Sequence, residues 1–345
     1  DADAGIPRSR YFVFNRDQSF PSVGLCDPIR PRLSAPAAIR NQSTMNKQLE
    51  GILHTPLSDS QVVKISMEEV PPGLLVSCLM VTRGKLFPSR YAVECFQRQS
   101  YPHRELIVVL DDPDSPLISH LETLNDDRIR LILLPCEKKS LGELRNISIS
   151  HARGEYICQW DDDDLYDPDR IGVQLSALLA SKAAACFLGR WTLWWPEHRK
   201  LALSGARLWE GSMLAYKAVI PDYPRIPRGE DTEMVAVLRE RERLLSLDAP
   251  DLYIHIRHGN NTFDEQHFFQ IFHASRRRWV NAEYSDRLSR LAERIPVQSY
   301  FKDFLENVSE NPSPPAETGV LSRGPLVSII VRSMGRPELR LALES

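Results

Sequence analysis

The chain has 345 residues, 42% hydrophobic and 26% charged, with a formal net charge of −3. That is ordinary globular material for one large domain or two modest ones, and the lack of a basic excess argues against a nucleic-acid binder. The six cysteines (Cys26, Cys78, Cys95, Cys136, Cys158, Cys186) contain no C-x-x-C pair and read as reduced core thiols rather than a disulfide framework or zinc site.

Residues 1–70 are proline-interrupted and poorly periodic, with short β-like runs at Tyr11–Phe14 and Gln61–Ile65, so an irregular N-terminal extension is expected. From Pro71 the pattern changes. Leu74–Val81 is a near-continuous apolar run, as expected of a strand buried on both faces of a parallel sheet. Tyr91–Gln99 reads helical, Leu106–Leu110 and Ile129–Leu134 as buried strands, Leu141–Ala152 as a helix and Tyr156–Trp160 as a fourth strand. Asp167-Pro168 looks like an N-cap with proline at the first helical position, opening a helix over Asp169–Ser181. Strand and helix alternate, which predicts an α/β class with a mostly parallel central sheet flanked by helices. Further on, Glu230–Leu245, Asp264–Trp279 and Ala282–Leu291 look helical and Leu252–Arg257 looks like a strand. The stripe Phe268, Ile271, Phe272 and Trp279 beside Arg276–Arg278 fits a membrane-surface helix or, more commonly, a core face with a solvated basic end.

Residues 71–310 are thus expected to form the main domain and 311–325 a linker. Val327–Val331 running into Arg332, Ser333 and Arg336 partly repeats Val76–Met80 and Thr82–Lys85. Residues 326–345 therefore read as the start of a second domain of the same type, with an edge strand of the first domain as the alternative. No stretch approaches the ~18–20 apolar residues of a membrane span, so the expected location is the cytoplasm, with peripheral contact at the inner face of a membrane left open.

Three polar clusters stand at the C-terminal ends of predicted strands: Thr82-Arg83, Asp111-Asp112 and Asp161–Asp164. Open α/β sheets bind ligands at that edge. Four adjacent carboxylates repel one another and are stable only if solvated or neutralised by a cation. Hard ions such as Mg²⁺ and Mn²⁺ take one or two carboxylates plus substrate phosphates, so a metal–diphosphate role competes with a solvated acidic turn.

The blocks VSCLMVTR, LIVVLDD and LGELRNISISHARGEYICQWDDDDLYDPDRI resemble glycosyltransferase family 2, with its GT-A fold and D-x-D signature, over about residues 74–262. The resemblance implies an inverting transferase of the hexosyl or N-acetylhexosaminyl type. It would move sugar from a nucleotide-sugar donor, commonly a UDP-sugar, to a hydroxyl of a glycan, lipid-linked or protein acceptor in bacterial-type polysaccharide or glycoconjugate synthesis, with Mn²⁺ or Mg²⁺. By the same resemblance Val81, Thr82 and Arg83 lie along the nucleoside, Asp112 reads the base with Asp111 beside it in the donor site, and Arg145-Asn146 is the pair ahead of the D-x-D strand. Asp161 and Asp163 match the metal-binding D-x-D, with Asp162 on ribose or phosphate. The turn T-R-G and the cluster D-D-P-D depart from the family's commoner residues.

Glu230-Asp231 resembles the family's E-D motif, which makes Asp231 the expected general base and Glu230 its alternative; read by themselves they are first-turn acids favoured by a helix dipole. Trp209 stands where the family lines its sugar pocket, as a stacking surface or as packing. His255 and His258 are three apart on a strand-like run, hence expected on opposite faces. His258, before a glycine turn, is either a metal or diphosphate ligand or a surface histidine. Two rivals remain: a sugar-nucleotide nucleotidyltransferase, which would need a glycine-rich loop where Val81–Leu86 has one glycine, and a non-catalytic carbohydrate- or nucleotide-binding module.

Overall fold

The computed structural model describes residues 11–14, 60–63, 70–135, 139–226, 228–259, 261 and 265–310. Contacts divide the chain into Asp1–Phe304 and Leu305–Ser345, the latter described only over residues 305–310. The expected linker and second-domain start lie outside the described residues, as does most of the N-terminal extension.

The first unit is built on β3 (Val76–Thr82), β4 (Arg104–Leu110), β5 (Ile129–Leu133) and β6 (Tyr156–Gln159). They lie side by side in the order β6-β3-β4-β5, all parallel, with Val76↔Arg104 through Thr82↔Leu110 in register. β3, β4 and β6 are apolar on both faces because both are covered. Val76, Cys78, Met80, Leu106 and Val108 enter one core with helices α1 (Leu86–Gln97) and α2 (Pro116–Leu124). Leu79, Ile107, Val109 and Ile157 enter the other with α3 (Leu141–His151). Each fully buried aliphatic side chain contributes roughly 1.5–3 kcal/mol, which makes this sheet the rigid part of the unit.

Helix starts follow local chemistry. The side chain of Ser115 accepts from the Leu117 N–H with Pro116 at the first position, which opens α2. Ser140 and Glu143 form a reciprocal capping box that opens α3. Asp167, expected as a cap, is not one. The helix α4 (Arg170–Ser181) begins beyond it, and the Asp167 carboxylate accepts from the Asp169 N–H at 2.8 Å and from Arg294 at 2.6 and 2.8 Å.

Beyond α4 the sheet becomes mixed. β11 (Trp209–Tyr216) inserts antiparallel between β6 and β8 (Ala185–Leu188), and β12 (Leu244–Asp248) runs parallel to β8. β1 (Tyr11–Phe14) and β2 (Ser60–Val63) complete the nine strands at the far edge. The α/β class holds, with parallel pairing concentrated in the half that carries the strand-end clusters. A second sheet, β14-β10-β9-β13-β7, comprises Arg277–Trp279, Lys200–Leu203, Thr192–Trp195, Tyr253–Ile256 and Leu165–Tyr166.

Two predicted helices are shorter than expected because a strand follows each. α5 (Glu230–Arg241) stops before β12, and α6 (Glu265–His273) stops before β14. Phe268, Phe272 and Trp279 are buried, with Phe268 and Phe272 packed on Trp195, so the aromatic stripe is a core face. Helices α7 (Asn281–Ala292) and α8 (Val297–Glu310) close the described chain. Among the described residues no helix is long and apolar enough to cross a membrane. Cys78, Cys95, Cys158 and Cys186 are free and buried, and burial pushes the Cys95 and Cys186 thiols up to about 12.

Gly154 lets the entry to β6 press against β3. Its N–H donates to Ser77 Oγ at 2.8 Å, and a Cβ there would lie 2.5 Å from the Leu75 carbonyl oxygen. Gly154→Ala should therefore cost roughly 1–3 kcal/mol. Urea unfolding should show a lower midpoint with an unchanged slope; an unshifted midpoint would mean that the strand gives way freely.

Candidate active site

The acidic turn Asp161–Asp164 links β6 of the first sheet to β7 of the second. Its four carboxylates are held apart by being turned toward different partners. Asp162 faces back to β3, accepting from Thr82 Oγ1 and from Ser89 Oγ at 3.0 Å. Asp164 is buried, accepting from the Ile256 N–H at 2.8 Å and Tyr253 OH at 2.7 Å, with His255 Nδ1 at 3.0 Å. Asp163 meets His258 Nε2 at 2.8 Å. Asp161 accepts from Gln159 Nε2 at 2.9 Å and lies 2.9 Å from Tyr253 OH.

A tyrosine hydroxyl has one proton, so Tyr253 cannot donate to Asp161 and Asp164 at once. One carboxylate oxygen is left facing a lone pair. Burial first, and then the Asp161 and Asp164 charges, push the Tyr253 phenol well above its usual range. Burial works to lower His255, but the Asp164 carboxylate prevails and raises it. Burial, then Asp163, raises the Asp162 carboxyl to about 7. The turn is short of positive charge.

Beneath it lies Arg170, fully buried and missed in the sequence. Its guanidinium carbon lies 4.5, 4.9 and 5.0 Å from the ring centres of Tyr166, Tyr253 and Trp160. Its Nη2 donates to the Gln159 carbonyl at 2.7 Å. This cation fixes the strand end that the turn grows from, and its aromatic walls aim two hydroxyls upward: Tyr166 OH reaches the Asp161 carbonyl at 2.8 Å and Tyr253 OH the side chains above.

The turn forms one side of a cavity of about 210 Å³ whose other side is the start of α5. Glu230 is buried and accepts from Arg145 Nε at 2.9 Å, while Arg145 Nη1 lies 3.8 Å from Asp161. Asp231 lines the same cavity, half-buried. Gly211 on β11 makes room for the turn, since a Cβ there would stand 2.7 Å from Asp161 Oδ2.

Trp209 does not offer a face for stacking. Trp191 covers one side at 4.5 Å between ring centres, and the Arg207 guanidinium lies 4.1 Å over the ring. Trp191 stacks in turn on Tyr253 at 4.3 Å, so this column is packing that holds the Tyr253 hydroxyl against the carboxylates.

Of the residues singled out in the sequence, Val81, Arg145, Asp161–Asp164, Glu230 and Asp231 line the cavity together. Thr82 is buried and engaged with Asp162; Arg83 and Asp112 are exposed, and Asp111 is half-buried at the end of β4. Asn146 hydrogen-bonds the backbone of Tyr223. His255 and His258 both face the acidic turn, because β13 ends at Ile256 and strand alternation no longer governs His258. Tyr253, Ser89 and Arg170 were not foreseen. They sit in apolar or helical stretches where only tertiary contact marks them.

Among the described residues no three His, Cys, Asp or Glu side chains converge as a ready metal cage. The donor chemistry nevertheless fits a hard divalent ion completed by ligand oxygens: two half-exposed carboxylates, Asp161 and Asp163, on a turn short of positive charge.

Residues 90–204, which carry Arg145 and the acidic turn, match the profile of glycosyl transferase family 2. A protein of Escherichia coli (strain K12), whose name describes a colanic acid biosynthesis glycosyl transferase, WcaA, is 35% identical over 30% of this chain and 37% of its own. The UDP-Glc:alpha-D-GlcNAc-diphosphoundecaprenol beta-1,3-glucosyltransferase WfgD of Escherichia coli is 27% identical over 30% of this chain and 41% of its own. The chain thus spans about two fifths of the length of these relatives. Among solved structures, the mannosyltransferase PcManGT from Pyrobaculum calidifontis, in complex with GDP-Man and Mn2+, aligns at 14% identity over 80% of this chain and 90% of that one, with a TM-score of 0.45.

The Asp162 carboxyl, raised from 3.8 to about 7, binds an extra proton in the fold between those values. Its contribution to stability is full below about pH 4 and is lost as pH rises through about 7. Without added divalent ion, the melting temperature should fall over that interval by several degrees more in wild type than in Asp162→Asn. Parallel melting curves for the two would refute a shared origin in this carboxyl.

Proposed function

We propose, from the membership of residues 90–204 in glycosyl transferase family 2 as premise, that the chain transfers sugar from a nucleotide-sugar donor to an acceptor hydroxyl with inversion. On this reading of the fold as the GT-A type, the nucleotide would lie at the C-terminal edge of β3, β4 and β6. The observation that carries the reading is that Asp231 and the Asp161–Asp164 turn line one cavity. A single displacement needs these two parts, a site for the leaving diphosphate and a base opposite it. UDP is the nucleotide we assign to the donor; the name of the WfgD relative specifies a UDP-sugar for that protein.

Mn²⁺ or Mg²⁺, when bound, would neutralise the charge that develops on the leaving diphosphate. Asp161 and Asp163 are the residues to hold it, with His258 orienting Asp163 across their 2.8 Å contact. Asp162 and Asp164 are fastened to β3 and β13 and act as anchors of the turn. On the other side, Asp231 accepts the acceptor hydroxyl's proton as the hydroxyl oxygen forms its bond to the anomeric carbon. The bond from that carbon to the diphosphate oxygen breaks, and the nucleoside diphosphate leaves with its electron pair. Glu230 does not serve, because it is buried and committed to Arg145. In a water-poor cavity the same geometry disfavours loss of the sugar to hydrolysis.

Asp163→Ala should weaken UDP binding in the presence of Mn²⁺ and abolish its metal dependence, and chelation with EDTA should do the same to wild type. Calorimetry giving equal UDP affinity with and without metal in both proteins would sink the metal reading. Asp231→Asn, which keeps shape but cannot take a proton, should lower kcat by about 10²–10⁴-fold with donor affinity unchanged. Wild-type kcat in that variant, or a product that retains the donor's anomeric configuration, would discard the mechanism.

A further inference from the structure

Helix α3 carries three residues, Gly142, Arg145 and Asn146, that all reach the segment leading into α5. Asn146 grips that segment at both main-chain groups of one residue: its Nδ2 donates to the Tyr223 carbonyl at 2.9 Å, and its Oδ1 accepts from the Tyr223 N–H at 2.8 Å. Gly142 allows contact closer than any side chain would, since a Cβ there would stand 2.1 Å from the Pro224 carbonyl oxygen. Arg145 then spans the gap, with Nε on Glu230 at 2.9 Å, Nη1 3.8 Å from Asp161 and its guanidinium 5.7 Å from the Tyr223 ring centre. The buried Tyr223 ring and Asn146 thus fix the chain eight residues before Asp231, and the Arg145–Glu230 pair fixes it one residue before. With both bonds made to Tyr223, the Asn146 amide keeps a second N–H and one Oδ1 lone pair, but the direction of its side chain is set by the grip.

The geometry points to Arg145 and Asn146 as positioning residues of the base: they mount the start of α5 on α3, so that Asp231 is held at a fixed distance from the Asp161 turn. This rests on Asp231 being the base, and it replaces the expected role of the pair as donor contacts. A main-chain clamp suits the task because α5 starts from Gly229, at φ +78°, and is not capped by a side chain. The buried Met234, Val235 and Leu238 hold the body of α5 in the core, and the clamp holds the segment that enters it. A displacement of the base by even about 1 Å costs on the order of 10²-fold in rate.

The test is a cycle of Asn146→Ala and Asp231→Asn, measured as kcat and as the Kd of UDP with Mn²⁺. Asn146→Ala is expected to lower kcat roughly 10–100-fold with UDP affinity within about threefold, and to have almost no further effect in the Asp231→Asn background, because two residues acting through one group are not additive. Arg145→Lys, a point charge unable to span Glu230 and Asp161 together, should follow the same pattern in kcat. Should Asn146→Ala not fold, Asn146→Asp keeps the bond from the Tyr223 N–H but sets a carboxylate oxygen against the Tyr223 carbonyl in place of the N–H donor, and is read in the same cycle. Full, multiplicative loss in the Asp231→Asn background, or a weakened UDP Kd with unchanged kcat, would overturn the positioning role while leaving the base in place. Wild-type kcat in Asp231→Asn alone would instead refute the base, and the mount with it.

Discussion

Mutual repulsion among Asp161, Asp162, Asp163 and Asp164 organises the chemistry of this unit. In water at 4 Å separation two like charges cost about 1 kcal/mol, and several-fold more at the lower effective dielectric of a protein cleft. The fold disperses that cost by giving each carboxylate its own support. Thr82 and Ser89 take Asp162, Tyr253 and the Ile256 N–H take Asp164, His258 takes Asp163 and Gln159 takes Asp161. Asp164 is buried, Asp162 is tied to β3, and all four line the cavity, with Asp161, Asp162 and Asp163 half-exposed. The single proton of Tyr253 cannot serve both Asp161 and Asp164.

The support comes from both sheets, and this explains an architecture that would otherwise look redundant. The parallel strands carry the turn outward at their C-terminal edge. The second sheet supplies Tyr253, the Ile256 N–H and, just past its strand end, His258. The aromatic column from Arg207 through Trp209 and Trp191 to Tyr253, and the buried Arg170 under Tyr166 and Tyr253, hold that contact from two directions. A buried, aromatic-walled arginine is costly to desolvate. Here its charge lies under the most negative stretch of the chain, and cation–π contact with three rings offsets part of the loss.

On the opposite wall, Arg145 divides the two acids of Glu230-Asp231 by burial. Pairing with Glu230 removes that carboxylate from solvent and leaves Asp231 on the cavity. Read by themselves the two are first-turn acids at the start of a helix; only the family resemblance set Asp231 ahead of Glu230 as the expected base.

Much of this was legible in the chain. Apolar runs at Leu74–Val81 and Leu106–Leu110 pointed to β3 and β4, because burial on both faces suppresses alternation, and the acidic quartet after Tyr156–Trp160 stood out because strand ends are where parallel sheets meet ligands. Where helix passed directly into strand, at Arg241–Leu244 and His273–Arg277, local apolar spacing could not show the break. The strand in each case exists through its pairing with β8 or β10. By itself the sequence determined the α/β class and the acidic turn, since these depend on local pattern. Only the tertiary structure decided which carboxylates are anchors and which face the cavity, that both histidines turn to the same loop, and that Asn146 grips Tyr223, because burial and hydrogen-bond partners 77 to 95 residues distant are properties of the packed chain.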